Sequence, residues 1–193
     1  MSVKIYTRRG DTGDTDLFGG VRVAKSNPQV KAYGDLDLAN TAIGLAYSCA
    51  GVSAWSKAVL TEIMKLMFCA GAEVATAPKE KAQVLLSHHL KNYIGDQHVI
   101  RLENLIDEID LKLSPQKSFI LPCGSDQAAR LHWARTMVRK AEITLIELAE
   151  GGHEVRPEII SFINRLSDLL FMMARLANCE AGCPDILWNG LLD

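Results

Sequence analysis

The sequence predicts an all-α protein, a five-helix up-and-down bundle preceded by an irregular N-terminal segment. Apolar side chains recur at helical spacing from Ala32 onward, residues that start and stop helices frame these stretches, and strand signals are few. The length of 193 residues suits a single domain that buries its own apolar core. We expect residues 1–29 to form the irregular segment, residues 30–180 the bundle, and residues 181–193 a C-terminal tail.

Three helices are predicted in the first part of the chain. The first begins near Ala32 and carries one face at steps of four, three and four residues: Leu36, Asn40, Ile43 and Tyr47. The second covers residues 55–76 and stops before Pro78, which cannot continue a helix. The polar and mixed residues 77–95 are expected either to form a long loop or to be partly disordered. The third helix covers residues 96–113 and is expected to point these side chains inward: Ile100, Leu105 and Ile109.

Two longer helices follow a short extended stretch, residues 115–124. Ser125 can cap the fourth helix, whose apolar stripe is the clearest in the chain: Leu131, Ala134, Val138, Ala141, Leu145 and Leu148. Gly151 and Gly152 end this helix. Pro157 suits the first turn of the fifth helix, which has a stripe of its own: Ile159, Ile163, Leu166, Leu170 and Met173.

Composition argues against several classes of function. The formal net charge is -2, so no broad basic surface for nucleic acid is expected. No apolar run approaches the length that crosses a membrane, and residues 1–11 lack the apolar core of a signal peptide. The five cysteines have no paired CxxC spacing, which is typical of reduced, mostly buried thiols. We expect a cytoplasmic protein with no nucleic-acid or membrane partner.

The fourth helix also carries charges beside its apolar stripe. Arg135, Arg139 and Glu142 are spaced by four and three residues and share one face. Two guanidinium groups on one face suit a polyphosphate because each presents fixed, paired donors. The neighbouring Lys140 could reach the rim of the same pocket. The alternative is a solvated face with ion pairs along the helix.

Polar residues interrupt the apolar pattern of the fifth helix and are predicted to share one face with an aromatic residue: Asn164, Asp168, Phe171 and Arg175. Polar groups inside a bundle must be hydrogen-bonded. They therefore form either a functional site or a structural network. In the structural alternative, Asp168 pairs with an arginine of a neighbouring helix.

The N-terminal segment reads TRRGDTGDT at residues 7–15. Its glycines let backbone N–H groups approach phosphate oxygens, and its threonine hydroxyls add hydrogen-bond donors. The segment lacks the GxxxxGK[ST] pattern of a P-loop, and an ordinary turn is the alternative. Lys25 follows ten residues after Thr15 and could return to the same anion.

Four blocks, in order, resemble the PduO-type ATP:cob(I)alamin adenosyltransferases over nearly the whole chain. Residues 7–15 resemble the family's TKTGDxGxT loop. Residues 32–44, AYGDLDLANTAIG, resemble AYGxxDELNxxIG. Residues 119–142 resemble FxLPGG followed by LHxxRxxxRRAER, with matches at Phe119, Ile120, Leu121, Pro122, Leu131, His132, Arg135, Arg139 and Glu142. The fourth block is NRLSDLLFMMAR at residues 164–175.

The resemblance implies a cobalamin adenosyltransferase-like bundle that assembles as a homotrimer with active sites between subunits. ATP, accompanied by Mg²⁺, would bind the N-terminal loop of one subunit through these residues: Thr7, Arg8, Arg9, Gly10, Thr15, Asp16 and Lys25. The neighbouring subunit would supply the rest: Arg139, Lys140, Glu142, Ile143 and Asn164. No protein side chain is assigned to a metal. A cobalamin reductase and a B12-dependent enzyme are the protein partners that such an activity implies.

The resemblance also assigns a corrinoid site. Asp37 and Arg135 match a salt bridge that positions the corrinoid, and Asp168 is placed in the same site. Phe119 matches an aromatic residue on the lower face of cobalt. The implied catalytic set consists of four residues: Asp37, Phe119, Arg135 and Arg139. Without the family, Phe119 would be read as a core residue.

The implied reaction transfers the 5′-deoxyadenosyl group of ATP to cob(I)alamin and gives adenosylcobalamin and triphosphate. Co(I) is itself a strong nucleophile, so the protein must align it with the 5′ carbon and stabilise the leaving triphosphate. Arg139, Lys140 and Lys25 suit the second task. An apolar Phe119 would keep a lower ligand away from cobalt, which eases the reduction of Co(II).

Several residues depart from the family pattern. Lys140 and Ile143 replace arginines, and five further positions differ: Arg9, Thr12, Lys31, Leu38 and Cys123. Arg9 adds a charge that could compensate for Ile143. A non-catalytic carrier or sensor of cobalamin or nucleotide is therefore the alternative function.

A ferritin-like di-iron bundle is the third hypothesis. That fold needs Glu-x-x-His pairs on its helices. Here two glycines separate Glu150 from His153, and His88 and His89 fall in the expected loop.

Overall fold

The computed structural model describes residues 4–77 and 94–188, which contain five helices and one small sheet. The two strands and five helices are, in chain order, β1 Asp14–Asp16, β2 Arg22–Ala24, α1 Pro28–Tyr47, α2 Ala54–Val74, α3 Asp96–Asp110, α4 Asp126–Glu150 and α5 Pro157–Glu180. The predicted all-α five-helix bundle is confirmed. The expected loop at 77–95 lies outside the described residues except at its ends.

The N-terminal segment is more regular than its sequence suggests. β1 and β2 pair antiparallel, with Asp16 opposite Arg22. Gly19 and Gly20 have φ angles of 102° and 86°, values that favour glycine, and they allow the chain to reverse between the strands. Strands of three residues are too short to give a visible alternation of apolar and polar side chains.

Helix α1 begins at Pro28, earlier than the expected start near Ala32. The Asn27 side chain caps the helix by accepting a hydrogen bond from the Gln29 N–H at 2.8 Å, and Pro28 fits the first turn. The amide of Gln29 donates to the carbonyls of Val74 and Thr76, which ties the start of α1 to the end of α2.

Helix α3 corrects one sequence expectation. Ile100 was expected to point inward, but it is 54% exposed. The buried face is formed by Leu102, Leu105 and Ile109, which follow steps of three and four residues. Ile100 lies five residues before Leu105, which is about 140° around the helix from that face.

Helices α4 and α5 follow their predicted stripes, and every residue of the two stripes is buried. Ser125 caps α4 by accepting from the Ala128 N–H at 3.2 Å, and Pro157 occupies the first turn of α5. Helix α1 packs against α2 and α4, α4 packs against α5, and α5 packs against α3. No helix of the described residues is long and apolar enough to span a membrane.

Candidate functional site

The N-terminal hairpin forms a compact cationic loop. The Gly13 N–H donates to the Gly10 carbonyl, and the Lys25 N–H donates to the Gly13 carbonyl at 2.8 Å. A Cβ atom built on Gly10 would lie 3.3 Å from Lys25 Nζ. The Lys25 ammonium therefore lies against the loop, where it can contribute to binding of an anion together with the backbone donors.

Asp16 links two arginines of this loop. Its carboxylate pairs with Arg9 at 3.0 Å and with Arg22 at 3.2 Å, and Arg22 also donates to the Arg9 carbonyl. Arg8 has a φ of 60°, an uncommon backbone conformation for a residue other than glycine. Sequence reasoning did not find Arg22, because its place beside Asp16 depends on the pairing of β1 with β2.

Arg135 and Arg139 lie one turn apart on α4 but differ in environment. Arg135 is half-buried, and its Nε has no hydrogen-bond partner among the described residues. Burial, together with the charge of Arg139, lowers the pKa of Arg135. Arg139 is exposed and forms no ion pair within residues 4–77 and 94–188. Both guanidinium groups therefore retain donors for an anionic partner.

Lys140 has a partner inside the same chain. Its ammonium forms an ion pair with Asp35, a buried residue of α1. The Thr144 hydroxyl donates to the other Asp35 oxygen at 2.7 Å. This network fixes α4 against α1, so Lys140 is less available to a ligand than Arg139.

Glu142 and Asn164, both of which the resemblance assigns to the ATP site, are hydrogen-bonded to each other. The Asn164 amide donates to Glu142 Oε1 at 2.8 Å and links α5 to α4. Ile143, which stands in a position where the family has arginine, is exposed. This part of the surface therefore lacks one cation.

Among the residues that the structure describes, Asp168 pairs with no arginine of a neighbouring helix, so the structural alternative is wrong in that detail. Its carboxylate pairs with Arg165 of the same helix at 3.1 Å. Arg165 in turn pairs with Glu103 of α3 at 3.0 Å. Asp37 is exposed on α1, and the described part of this chain contains no ion pair between Asp37 and Arg135.

Phe119 is not a core residue, and the core interpretation is therefore wrong. Its side chain is 74% exposed, and its ring meets Trp188 edge-on with centroids 6.2 Å apart. The Trp188 N–H donates to the Phe119 carbonyl, and the Leu121 N–H donates to the Ile186 carbonyl, both at 2.8 Å. The residues that follow α5 thus form a strand-like pairing with the Phe119 segment.

His132 is buried beside the charged face of α4. Neither ring nitrogen has a hydrogen-bond partner within the described residues, and the ring lies 5.9 Å from that of Phe171. Burial is the main cause that lowers the pKa of His132, and the charge of Arg135 adds to it. Burial therefore favours the neutral form of the imidazole.

The Glu-x-x-His sequence that the di-iron hypothesis requires on a helix lies at the end of α4. Glu150 is the last residue of α4, and His153 follows a turn at Gly151 and Gly152. The two side chains do not form a helical Glu-x-x-His pair. Residues 4–77 and 94–188 contain no group of three or more histidine, cysteine or acidic residues that could hold a metal ion. His88 and His89 lie outside the described residues.

The fold and the site define a helical bundle with a cationic N-terminal loop and an exposed aromatic residue on a braced segment. The family profile of cobalamin adenosyltransferases matches residues 5–177, and the chain belongs to that family.

Individual relatives agree with this assignment. The chain is 39% identical over 183 residues to the corrinoid adenosyltransferase PduO of Salmonella typhimurium, covering 95% of this chain and 52% of that protein. It is 39% identical over 191 residues to a corrinoid adenosyltransferase of Mycobacterium tuberculosis, covering 96% and 93% of the two chains. The chain spans about half the length of the PduO relatives from Salmonella typhimurium and Citrobacter freundii.

Solved structures give the same result. The chain superposes with a TM-score of 0.85 on a variant of the PduO-type ATP:corrinoid adenosyltransferase from Lactobacillus reuteri, complexed with cobalamin and ATP. The sequence identity is 34%, and the match covers 97% of this chain and 100% of the other.

Proposed function

We propose that this protein transfers the 5′-deoxyadenosyl group of ATP to cob(I)alamin, giving adenosylcobalamin and triphosphate. The observation that carries the proposal is the exposure of Phe119 on a segment held by backbone hydrogen bonds. The Phe119 ring lies outside the core and meets Trp188 only at its edge, so most of its surface is open to contact with the flat face of a corrin ring. Relatives named as corrinoid adenosyltransferases support the same activity.

The reaction needs alignment and charge stabilisation more than it needs acid–base chemistry. The electron pair of Co(I) forms a bond to the 5′ carbon, and the bond from that carbon to oxygen breaks. The electrons leave with the triphosphate, whose growing charge must be stabilised. Arg139 suits this task because it is exposed and has no ion-pair partner in the described residues. Lys25 and the glycines around it add donors.

The departures from the family pattern fit an ATP site that has fewer free positive charges on α4 and more on the N-terminal loop. Lys140 shares its charge with Asp35, and Ile143 contributes none. The N-terminal loop carries Arg9 and Arg22 on one carboxylate, which leaves that cluster with a net positive charge. We therefore assign the main leaving-group contacts to Arg139 and the loop, with Mg²⁺ bound to the triphosphate.

We infer a homotrimer in which each active site lies between two subunits. Four apolar side chains of α1 and α4 support a subunit contact because they are exposed: Leu38, Leu45, Ile143 and Ile146. The same contact would bring Asp37 of one subunit to Arg135 of the next and satisfy its unpaired Nε. Sedimentation should give a trimer at micromolar concentration. An active monomer would contradict this assembly.

Turnover tests the activity directly. Purified protein supplied with ATP, Mg²⁺ and chemically reduced cob(I)alamin should form adenosylcobalamin. Binding of both substrates without product would instead support the alternative, a carrier or sensor. The alternative is favoured by one observation, the engagement of Lys140 with Asp35.

We also propose a cellular location, partner enzymes and a domain organisation. Five free thiols support a cytoplasmic location, where thiols stay reduced. A cobalamin reductase would supply Co(I), and a B12-dependent enzyme would use the product. We propose a single domain in which the segment before α1 binds nucleotide and the helices from Pro28 onward form the bundle. The expected boundary at residue 30 thus falls inside α1, and the expected tail from residue 181 is not free of the bundle, because Asp185 and Trp188 bond to α5 and to the Phe119 segment.

A further inference from the structure

Two side chains of α5 hold both ends of the segment that carries Phe119. Arg175 Nη2 donates to the Ser114 carbonyl at 2.9 Å, before the segment. Asn178 Nδ2 donates to the Cys123 carbonyl at 3.0 Å, and its Oδ1 accepts from the Ser125 N–H at 2.9 Å, after the segment. Arg175 and Asn178 are one helical turn apart and are 7% and 1% exposed. They therefore form a fixed base for the Phe119 segment.

Asp185 connects this base to the residues that follow α5. One of its oxygens accepts from Arg175 Nε at 2.9 Å, and the other accepts from Asn178 Nδ2 at 3.2 Å. The buried guanidinium of Arg175 depends on this carboxylate for charge compensation. From Asp185 the chain continues into Ile186 and Trp188, whose backbone groups bond to the Phe119 segment.

The approach of Asn178 to the chain requires a glycine. Gly124 has a φ of 127°, and a Cβ atom built there would lie 2.1 Å from Asn178 Oδ1. No side chain fits that space. Glycine at position 124 therefore allows the Asn178 side chain to reach the backbone of Cys123 and Ser125 at the end of the segment.

We propose that Asp185 is a positioning residue for Phe119, acting through the backbone pairing of residues 186–188 with residues 119–121. The proposal rests on the proposed role of Phe119 at the lower face of cobalt. Because the Phe119 ring is mostly exposed, core packing does not hold it in place. Its position depends on the backbone hydrogen bonds of its segment, and those depend on where Asp185 places the chain. Because a misplacement of about 1 Å is enough to disturb a reacting geometry, a displaced Phe119 ring should exclude a lower ligand from cobalt less well.

The test compares two assays in intact protein. One starts from cob(II)alamin with a one-electron reductant, and the other starts from chemically prepared cob(I)alamin. Asp185→Ala should lower the rate from Co(II) about tenfold more than the rate from Co(I), which is the pattern also expected for Phe119→Ala. The KM for ATP should stay unchanged. Only the assay from Co(II) includes the reduction that an intruding lower ligand hinders.

Glu73→Ala is the matched control. Glu73 is also a buried carboxylate paired with an arginine, Arg156, which precedes α5. Arg156 and Arg175 are 19 residues apart, which is about 28 Å along the helix. This variant should lose stability and lower the two rates by the same factor. If Asp185→Ala behaves like Glu73→Ala, with equal losses, the positioning role is refuted.

A second pair of variants covers the case in which Asp185→Ala does not fold. Trp188→Pro removes the N–H that bonds to the Phe119 carbonyl, whereas Trp188→Ala keeps it. The proline variant should show a larger difference between the two assays than the alanine variant. Identical behaviour of the two variants would overturn the proposal.

The outcome separates this inference from the proposed function. If the unaltered protein forms product but Phe119→Ala lowers both rates equally, the role of Phe119 fails and the inference fails with it. If Phe119→Ala lowers the Co(II) rate selectively and neither Asp185→Ala nor Trp188→Pro does so, only the positioning role fails.

Discussion

Replacement of Phe119 by alanine should separate cobalt chemistry from stability. A fully buried phenylalanine costs about 3–5 kcal/mol when it is truncated to alanine. The Phe119 side chain is 74% exposed, so about a quarter of that cost, about 1 kcal/mol, is expected. For a chain of 193 residues, this corresponds to a fall in Tm of about 2–4 °C. The variant should therefore remain folded at assay temperature.

The kinetic effect should be large in one assay and small in the other. Without the ring, a lower ligand can reach cobalt and make the reduction of Co(II) harder. The rate from Co(II) should fall more than about tenfold, equivalent to about 1.4 kcal/mol in the barrier. The rate from Co(I) should fall much less, and the KM for ATP should not change. Adenosylcobalamin formation can be followed by absorbance. Equal losses in both assays, with a Tm drop above about 8 °C, would refute the reasoning, because they indicate packing.

Three further predictions concern ATP, stability and pH. Arg139→Ala should remove one charge-assisted contact with triphosphate, worth about 1.5–3 kcal/mol. The kcat/KM for ATP should therefore fall by about ten- to a hundredfold. An unchanged kcat/KM would exclude Arg139 from the ATP site. Gly124→Ala should displace Asn178 and break its three side-chain hydrogen bonds. The free energy of unfolding, measured by urea titration, should therefore fall by about 3 kcal/mol. A loss under about 1 kcal/mol would contradict the close approach of Asn178 to Gly124. Because burial lowers the pKa of His132 in the folded protein, the unfolded chain binds an extra proton below pH about 6.5. Stability should therefore fall as pH falls through that value, and His132→Leu should flatten this dependence in unfolding titrations from pH about 7 to 5; an unchanged slope would show that other groups cause it.

Much of the bundle follows from signals that lie within a few residues of one another. Ser125 is followed by the stripe of α4 and then by Gly151, so the start, the buried face and the end of that helix are all visible locally. Ile100 shows the limit of such reasoning, because several apolar residues in one short helix leave more than one candidate face. Packing against α5 decides that Leu102, Leu105 and Ile109 point inward.

The candidate site was only partly predictable for a related reason. Residue types and spacing indicated Arg139, Lys25 and the N-terminal loop as an anion site. They did not indicate that Lys140 already has a partner in Asp35, which lies 105 residues earlier in the chain. Nor did they reveal Arg22, which joins Asp16 only once the two strands have paired.

The sequence by itself therefore determined the helices, the order of the motifs and the family that they resemble. Helical periodicity and capping are properties of neighbouring residues, so they can be read from a short window. Only the tertiary structure decided that Phe119 is exposed and that Asp185 and Asn178 brace its segment. Those relations join α5, the segment before α4 and the residues after α5, and chain folding alone brings such distant groups within hydrogen-bond distance.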